Sequence, residues 1–167
     1  MNTLDIIIAI LVLIPALLGI KNGFLKSIFS LAGIVAGLFL ATRYNDDIVS
    51  LLGFINANPK VLSLISFIAI IVLTYAIFNY IANKISKFNF VTNTIDKVLG
   101  GALGLLKGLI FASLLLILTT NTFSFFSKEI IADSKFYSSV VKIAPDVYNY
   151  IVKFFPDAKT FYENLTI

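Results

Sequence analysis

Long apolar stretches separated by short polar segments make up the first 118 residues of the chain. The stretches run over residues 4–20, 25–42, 61–81 and 98–118, and the third contains no charged residue. A helix needs about 20 apolar residues to cross the hydrocarbon core of a bilayer. The pattern predicts an all-α, polytopic membrane protein with a four-helix transmembrane bundle. The uncharged core of the second stretch, residues 27–41, is short for a span, so a re-entrant placement stays open.

Residues 119–167 have a different pattern and form the predicted second region, an amphipathic helical tail. This region holds five lysines, five acidic residues and 11 of the 23 aromatic residues. Short amphipathic helices are expected near residues 128–143, 146–155 and 157–165, and one apolar stripe is expected at Val147, Tyr150, Ile151, Phe154 and Phe155. Such a tail would cap the bundle, lie in the membrane interface or dock a partner.

Composition supports a membrane location and excludes several kinds of chemistry. The 167 residues are 59% hydrophobic and 13% charged, whereas soluble domains have about 25% charged residues. Cysteine and histidine are absent, so disulfides, Cys/His metal sites and Ser–His or Cys–His catalytic pairs cannot form. We therefore expect no enzyme activity, no cofactor and no metal site. The expected partners are the lipid bilayer and other membrane proteins or further copies of the chain, and no nucleic acid.

The lysines and arginines predict an orientation. Lys21 and Lys26 lie in the first connection, and the third connection carries Lys84, Lys87 and Lys97 against one acid. In the second connection, Asp46 and Asp47 offset Arg43 and Lys60. Because cytoplasmic loops are rich in lysine and arginine, connections one and three are predicted to be cytoplasmic. Both termini would then lie outside, and the location would be a bacterial cytoplasmic (inner) membrane.

Glycines recur every four residues on two of the predicted spans. They are Gly33 and Gly37 on the second span, and Gly100, Gly104 and Gly108 on the fourth. Small residues at this spacing allow helix backbones to approach closely in lipid. The glycines therefore predict helix-packing faces, where spans two and four meet other helices or each other. The contacts would lie within one chain or between subunits.

Three charged residues are candidates for a functional role: Asp5, Asp96 and Lys107. Asp96 and Lys107 are 11 residues apart, which is nearly three whole turns, so they share the glycine face about 16 Å apart along the axis. Ionisable groups at membrane depth are costly and often functional. Three alternatives stay open for Lys107: its ammonium reaches back to the membrane surface, forms a structural ion pair with a neighbouring helix, or lines a path for ions or protons with Asp96. In the first of these, Asp96 only opens the fourth helix.

These residues also carry a resemblance to a known family. Asp5, the segment KNGFLKSIFSLAG at residues 21–33 and the segment DKVLGGALGLLKG at residues 96–108 resemble the colicin V production protein family, over residues 1 to about 120. The resemblance implies a four-span membrane domain with an acidic–basic pair before the last span and no catalytic residues.

The resemblance also implies an accessory or scaffold role in toxin production or export and in envelope homeostasis. A small ion or proton channel or carrier, with Asp96 and Lys107 lining its path, is the alternative function.

Overall fold

The structure is a computed structural model that describes residues 2–54, 58–85, 94–121 and 126–153. Within these ranges every regular element is a helix. The helices are α1 (Thr3–Leu51), α2 (Pro59–Ile85), α3 (Thr94–Asn121), α4 (Lys128–Ala132), α5 (Tyr137–Val140) and α6 (Ile143–Val152).

Three of the described helices, α1, α2 and α3, are long and apolar enough to cross a membrane. The chain is therefore an all-α, multi-pass membrane protein. The first two predicted spans both lie within α1, which has 49 residues.

Helix α1 is interrupted at Gly23. This residue has φ 77° and ψ 176°, the only non-helical dihedral angles inside α1. A positive φ of this size is costly for residues with a Cβ and is readily adopted by glycine. Gly23 therefore divides α1 into a first segment, residues 3–22, and a second segment, residues 24–51. The second segment would extend about 42 Å at 1.5 Å per residue, enough to cross a bilayer.

The first segment of α1 runs antiparallel to α3. Going forward along this segment, the contacts move backward along α3: Val12 packs on Gly108, Ala16 on Gly104 and Gly19 on Gly100. Further toward the N-terminus, Leu4 and Ile8 share a core cluster with Ala112 and Leu116.

The second segment of α1 runs parallel to α3. Phe24 contacts Asp96, and Ser30 contacts Lys107. One core then joins successive residues of both helices: Ile34, Leu38 and Ala41 of α1 with Ile110, Leu114 and Ile117 of α3. Since the two segments run in opposite directions along the same helix, the chain reverses at Gly23.

The glycines of α3 face the first segment of α1. A Cβ at Gly104 would lie 3.0 Å from the Ala16 Cα, and one at Gly108 would lie 2.9 Å from the Val12 Cα. A Cβ at Gly100 would lie 2.7 Å from the Gly23 carbonyl carbon. These distances leave no room for a side chain, so the two backbones pack directly on each other.

The second glycine pair lies against a different helix. A Cβ at Gly33 would lie 2.7 Å from the Phe78 Cβ, and one at Gly37 would lie 3.0 Å from the Ile71 Cα. Helix α2 therefore packs antiparallel along the second segment of α1. The two glycine faces contact different neighbours within the chain and do not meet each other.

The three long helices extend beyond the predicted spans, and α2 runs over Pro59–Ile85 rather than 61–81. The second segment of α1 continues from residue 42 to Leu51, and α3 begins at Thr94 rather than residue 98. The extensions of α1 and α3 carry charged side chains, and Arg43, Asp46, Asp47 and Lys97 are exposed. Helical hydrogen bonds do not depend on a lipid environment, so hydropathy marks the apolar part of a helix and not its ends.

The tail packs on the bundle at the end where α1 begins and α3 finishes. Ala144 and Tyr148 of α6 belong to the core with Leu38 and Ile117, and the Tyr148 side chain is only 2% exposed. Val147 packs at the edge of this core, whereas Tyr150 of the predicted stripe is 64% exposed. The buried face of α6 is thus centred on Tyr148, which the predicted stripe does not include. Phe154, Phe155 and the helix predicted at 157–165 lie outside the described residues.

The first helix of the tail is not continuous, whereas α6 begins at Ile143, three residues before the helix predicted over 146–155. The helix predicted over residues 128–143 is divided into α4 and α5, with Ser134 between them. The break brings Ser134 and the two backbone N–H groups that follow it to the carboxylate of Asp5. A long-range contact therefore replaces helical hydrogen bonding at this position.

Candidate functional site

Lys107 lies in the middle of α3 and is buried among the helices. Only 7% of the residue is exposed, and its Nζ donates a hydrogen bond to the Ser30 Oγ at 3.2 Å. The ammonium also lies 6.0 Å from the centre of the Tyr75 ring. The described partner of the ammonium is thus an uncharged hydroxyl of the second segment of α1, and the role of Lys107 stays a prediction.

A polar network surrounds this lysine. Ser30 accepts from Lys107 and its hydroxyl donates to the Asn79 Oδ1 at 3.4 Å. The Tyr75 hydroxyl lies within hydrogen-bonding reach of Ser30, Asn79 and Lys107. The network therefore joins α1, α2 and α3. Hydrogen bonds between helices in lipid contribute about 0.6 kcal/mol each on average.

A cavity of about 210 Å³ adjoins the network. Lys107 and Tyr75 are the two lining residues with polar side chains. The rest of the lining is apolar and comes from α1, α2 and α3: Pro15, Leu18, Ile34, Ile71, Val72 and Phe111. An ammonium on the wall of an apolar cavity is the arrangement expected of a site for an amphipathic ligand.

Asp96 is placed at the reversal of α1 and away from Lys107. Its Oδ1 accepts a hydrogen bond from the Phe24 backbone N–H at 2.8 Å. Phe24 opens the second segment of α1, and the first N–H groups of a helix have no partner inside the helix. Asp96 thus acts as a capping residue for another helix, a role that an acid at a helix N-terminus fills well. Its carboxylate also occupies the space beside Gly23 that a side chain would need.

Asp5 lies at the opposite end of the bundle, where it holds the tail. Its carboxylate accepts from the Ser134 Oγ at 2.5 Å, from the Phe136 N–H at 3.3 Å and from the Lys135 N–H at 3.4 Å. Asn2 adds a hydrogen bond from its side-chain amide to the Ile130 carbonyl. Only 4% of the surface of Asp5 is exposed. The acid that opens the first helix therefore fixes the position of α4 and α5.

The three candidate charges consequently occupy three separate places. Ser30, Tyr75 and Asn79 complete the site around Lys107, and none of them was predicted from the sequence. The available signal was a polar side chain inside an apolar stretch. That signal is weak for serine and tyrosine, and only the fold reveals that these residues converge.

A comparison of the sequence with known families identifies the family of this chain. The sequence model described as colicin V production protein matches residues 4–145. The chain belongs to the colicin V production protein family. No curated protein and no solved structure matches the chain.

The match to the colicin V production protein family extends further than the resemblance predicted. It continues past residue 120 to residue 145, through α4 and α5 and into α6. The part of the tail that contacts Asp5 is therefore included in the family match, whereas Tyr148 lies beyond it. Asp5 and its partner Ser134 both fall inside the matched range, and so do Gly23, Asp96 and Lys107.

Proposed function

We propose that this protein is an accessory or scaffold protein of the bacterial cytoplasmic (inner) membrane, acting in toxin production or export and in envelope homeostasis. Membership of the colicin V production protein family and the three long apolar helices support this proposal. It acts as a binding partner and not as an enzyme. Its partners are the bilayer and other membrane proteins or copies of itself, and they do not include nucleic acid.

The chain crosses the membrane four times in this proposal. The reversal of α1 at Gly23 supports two crossings by that helix, because its two segments run in opposite directions along α3. Helices α2 and α3 add the third and fourth crossings.

Both termini lie outside in the proposed orientation. The end of the bundle near Gly23 carries Lys21, Lys26, Lys84 and Lys97. The other end holds the docked tail, where lysines and acids are balanced over residues 119–167. An excess of lysine at the Gly23 end supports its assignment to the cytoplasm.

The observation that carries the scaffold proposal is the use of the two acids as structural acceptors. Asp96 caps Phe24 and Asp5 holds the tail, so both carboxylates stabilise the arrangement of helices. The alternative, an ion or proton channel or carrier, is favoured only by the burial of Lys107. Asp96 and Lys107 contact different partners along α3 and share no hydrogen bond partner among the described contacts.

Neutral replacements of Asp96 and Lys107 distinguish the scaffold proposal from the alternative, an ion or proton channel or carrier. Asp96→Asn keeps an oxygen that can accept from Phe24, and asparagine is about as good a cap as aspartate. Lys107→Gln keeps a donor for Ser30 and removes the charge. We expect both variants to accumulate in the membrane and to complement a deletion strain to within about twofold of the parent protein. A channel or carrier that uses these residues requires the charges of the Asp96 carboxylate and the Lys107 ammonium. If either variant accumulates normally but fails to complement the deletion strain, the scaffold proposal is wrong and the channel or carrier replaces it.

A further inference from the structure

The cavity beside Lys107 lies where two of the long helices separate. Helix α2 packs along α1 and makes little contact with α3. The cavity occupies this gap, with Ile71, Val72 and Tyr75 of α2 on one side and Lys107 and Phe111 of α3 on the other. The space is therefore a consequence of the helix arrangement and is not a local packing fault in one helix.

The cavity opens toward the lipid-facing surface. Three of its lining side chains, Leu18, Val72 and Phe111, are 47%, 56% and 43% exposed. These side chains are apolar and belong to helices that are long enough to span the membrane. An apolar chain can enter from the bilayer between them, whereas Lys107 forms the buried end of the space.

Lys107 sets the chemistry of this buried end. An ammonium has three N–H donors. Its described partners, Ser30 and Tyr75, are uncharged, and so is Asn79, which contacts both of them. A positive charge at membrane depth is stabilised by an opposite charge or by strong acceptors. A ligand that brings an acidic oxygen into the cavity would supply a charge-assisted hydrogen bond, the stronger kind.

The depth and volume of the site decide which acidic ligand fits. The phosphodiester of a phospholipid stays ionised and remains at the membrane surface, whereas a carboxylic acid can take up a proton and enter the bilayer uncharged. Pockets that enclose drug-sized ligands have volumes of about 300–1,000 Å³, so a cavity of about 210 Å³ holds one acyl chain end and not two. We propose that this cavity binds a single fatty acid, with its carboxyl group on Lys107 and its chain leaving between Leu18, Val72 and Phe111.

Photocrosslinking to the purified full-length protein tests the proposal. The probe is hexadecanoic acid carrying a diazirine, added to protein in phosphatidylcholine nanodiscs. We expect crosslinks in peptides that contain the cavity residues, and competition by unlabelled hexadecanoic acid at least about tenfold stronger than by hexadecanol. Equal competition by the acid and the alcohol would overturn the role of Lys107. Competition by phosphatidylglycerol with none by the fatty acid would overturn the choice of ligand.

Two kinds of variant locate the site. Lys107→Met removes the ammonium and keeps an unbranched side chain, and Val72→Trp fills the entrance without touching Lys107. Both should reduce crosslinking at least about tenfold. The matched control is Leu73→Trp, because Leu73 is 64% exposed and does not line the cavity. Unchanged crosslinking in Val72→Trp, or equal loss in Leu73→Trp, would contradict the assigned position.

Binding is measured on isolated protein and does not depend on the proposed scaffold role. Failed complementation by a variant therefore leaves the ligand proposal intact, and absence of fatty acid binding leaves the scaffold proposal intact.

Discussion

At the scale of single residues, Gly23 and Asp96 act together. Gly23 has a positive φ that reverses the chain, and the Phe24 N–H that the reversal leaves without a helical partner donates to Asp96. A side chain on residue 23 would both strain the backbone and collide with the Asp96 carboxylate, whose Cγ would lie 3.1 Å from the new Cβ. The glycine and the acid are therefore required for the same turn, although 72 positions separate Asp96 from Phe24.

Gly23→Ala should lower the free energy of unfolding by about 1–3 kcal/mol, the cost of a residue held in a sparsely populated backbone conformation. The measurement is unfolding of the purified protein in mixed micelles by a denaturing detergent. Gly53→Ala is the control, because its φ is not positive and the one close contact of its new Cβ, the Ser50 carbonyl oxygen at 3.1 Å, belongs to an exposed turn that can shift slightly. That variant should stay within about 0.5 kcal/mol of the parent. Equal losses in the two variants would show that the turn at residue 23 has no special requirement for glycine.

At the scale of helices, α3 is the central element. More than half of the most apolar stretch of α3 is buried inside the protein, about twice the fraction found for the corresponding stretches of α1 and α2. Its glycines admit the first segment of α1, while its larger side chains Ile110, Leu114 and Ile117 pack against the second segment. One helix therefore provides a flat face for backbone contact and an apolar face for side-chain packing.

Gly104→Leu should separate α3 from the first segment of α1. The new Cβ would lie 3.0 Å from the Ala16 Cα and would also meet the Pro15 carbonyl oxygen, so backbone would have to move. Overpacking of this kind costs about 1–3 kcal/mol and occasionally more. We expect a matching loss in the free energy of unfolding, measured in mixed micelles. Leu106→Ile, at a side chain that is 40% exposed, is the control and should change stability by less than about 0.5 kcal/mol. Equal tolerance of both changes would contradict the close backbone packing.

At the scale of the whole molecule, the bundle has two chemically different ends. The Gly23 end contains exposed lysines on α1, α2 and α3, and the opposite end contains the tail fixed by Asp5. The polar network and cavity around Lys107 lie between these ends. Asp46 and Asp133 belong to the tail end and Lys97 to the Gly23 end, and all three are exposed.

Single cysteines test the proposed orientation, because the chain has no cysteine of its own. We expect a membrane-impermeant thiol reagent to label Asp46→Cys and Asp133→Cys in intact spheroplasts, at least about tenfold more than Lys97→Cys. The physical reason is the excess of lysine at the Gly23 end, which is the basis for proposing that this end faces the cytoplasm. Labelling of Lys97→Cys in permeabilised spheroplasts is the control for its accessibility. If only Lys97→Cys is labelled in intact spheroplasts, the proposed orientation is wrong and the Gly23 end faces outside.

The sequence by itself determined the class of this protein. Lipid cannot hydrogen-bond the backbone, so long apolar stretches of this kind must be helical, and the prediction of an all-α membrane protein of the colicin V production protein family is confirmed. The sequence also singled out residues that make close contacts, such as Gly104 and Asp96, because glycines at regular spacing and charges near apolar stretches are unusual enough to notice.

Only the tertiary structure decided what those residues contact. Hydropathy does not distinguish two spans joined by a loop from one helix reversed at a glycine, since the backbone angle of Gly23 depends on the packing of α3 against it. Likewise, Ser30, Tyr75 and Asn79 are unremarkable along the chain and converge on Lys107 only when three helices pack together. The partner of Asp5 lies 129 residues away in the tail, beyond the reach of any local pattern. Contacts between distant residues are set by how whole helices fit together, and periodicity along one helix does not specify its neighbour.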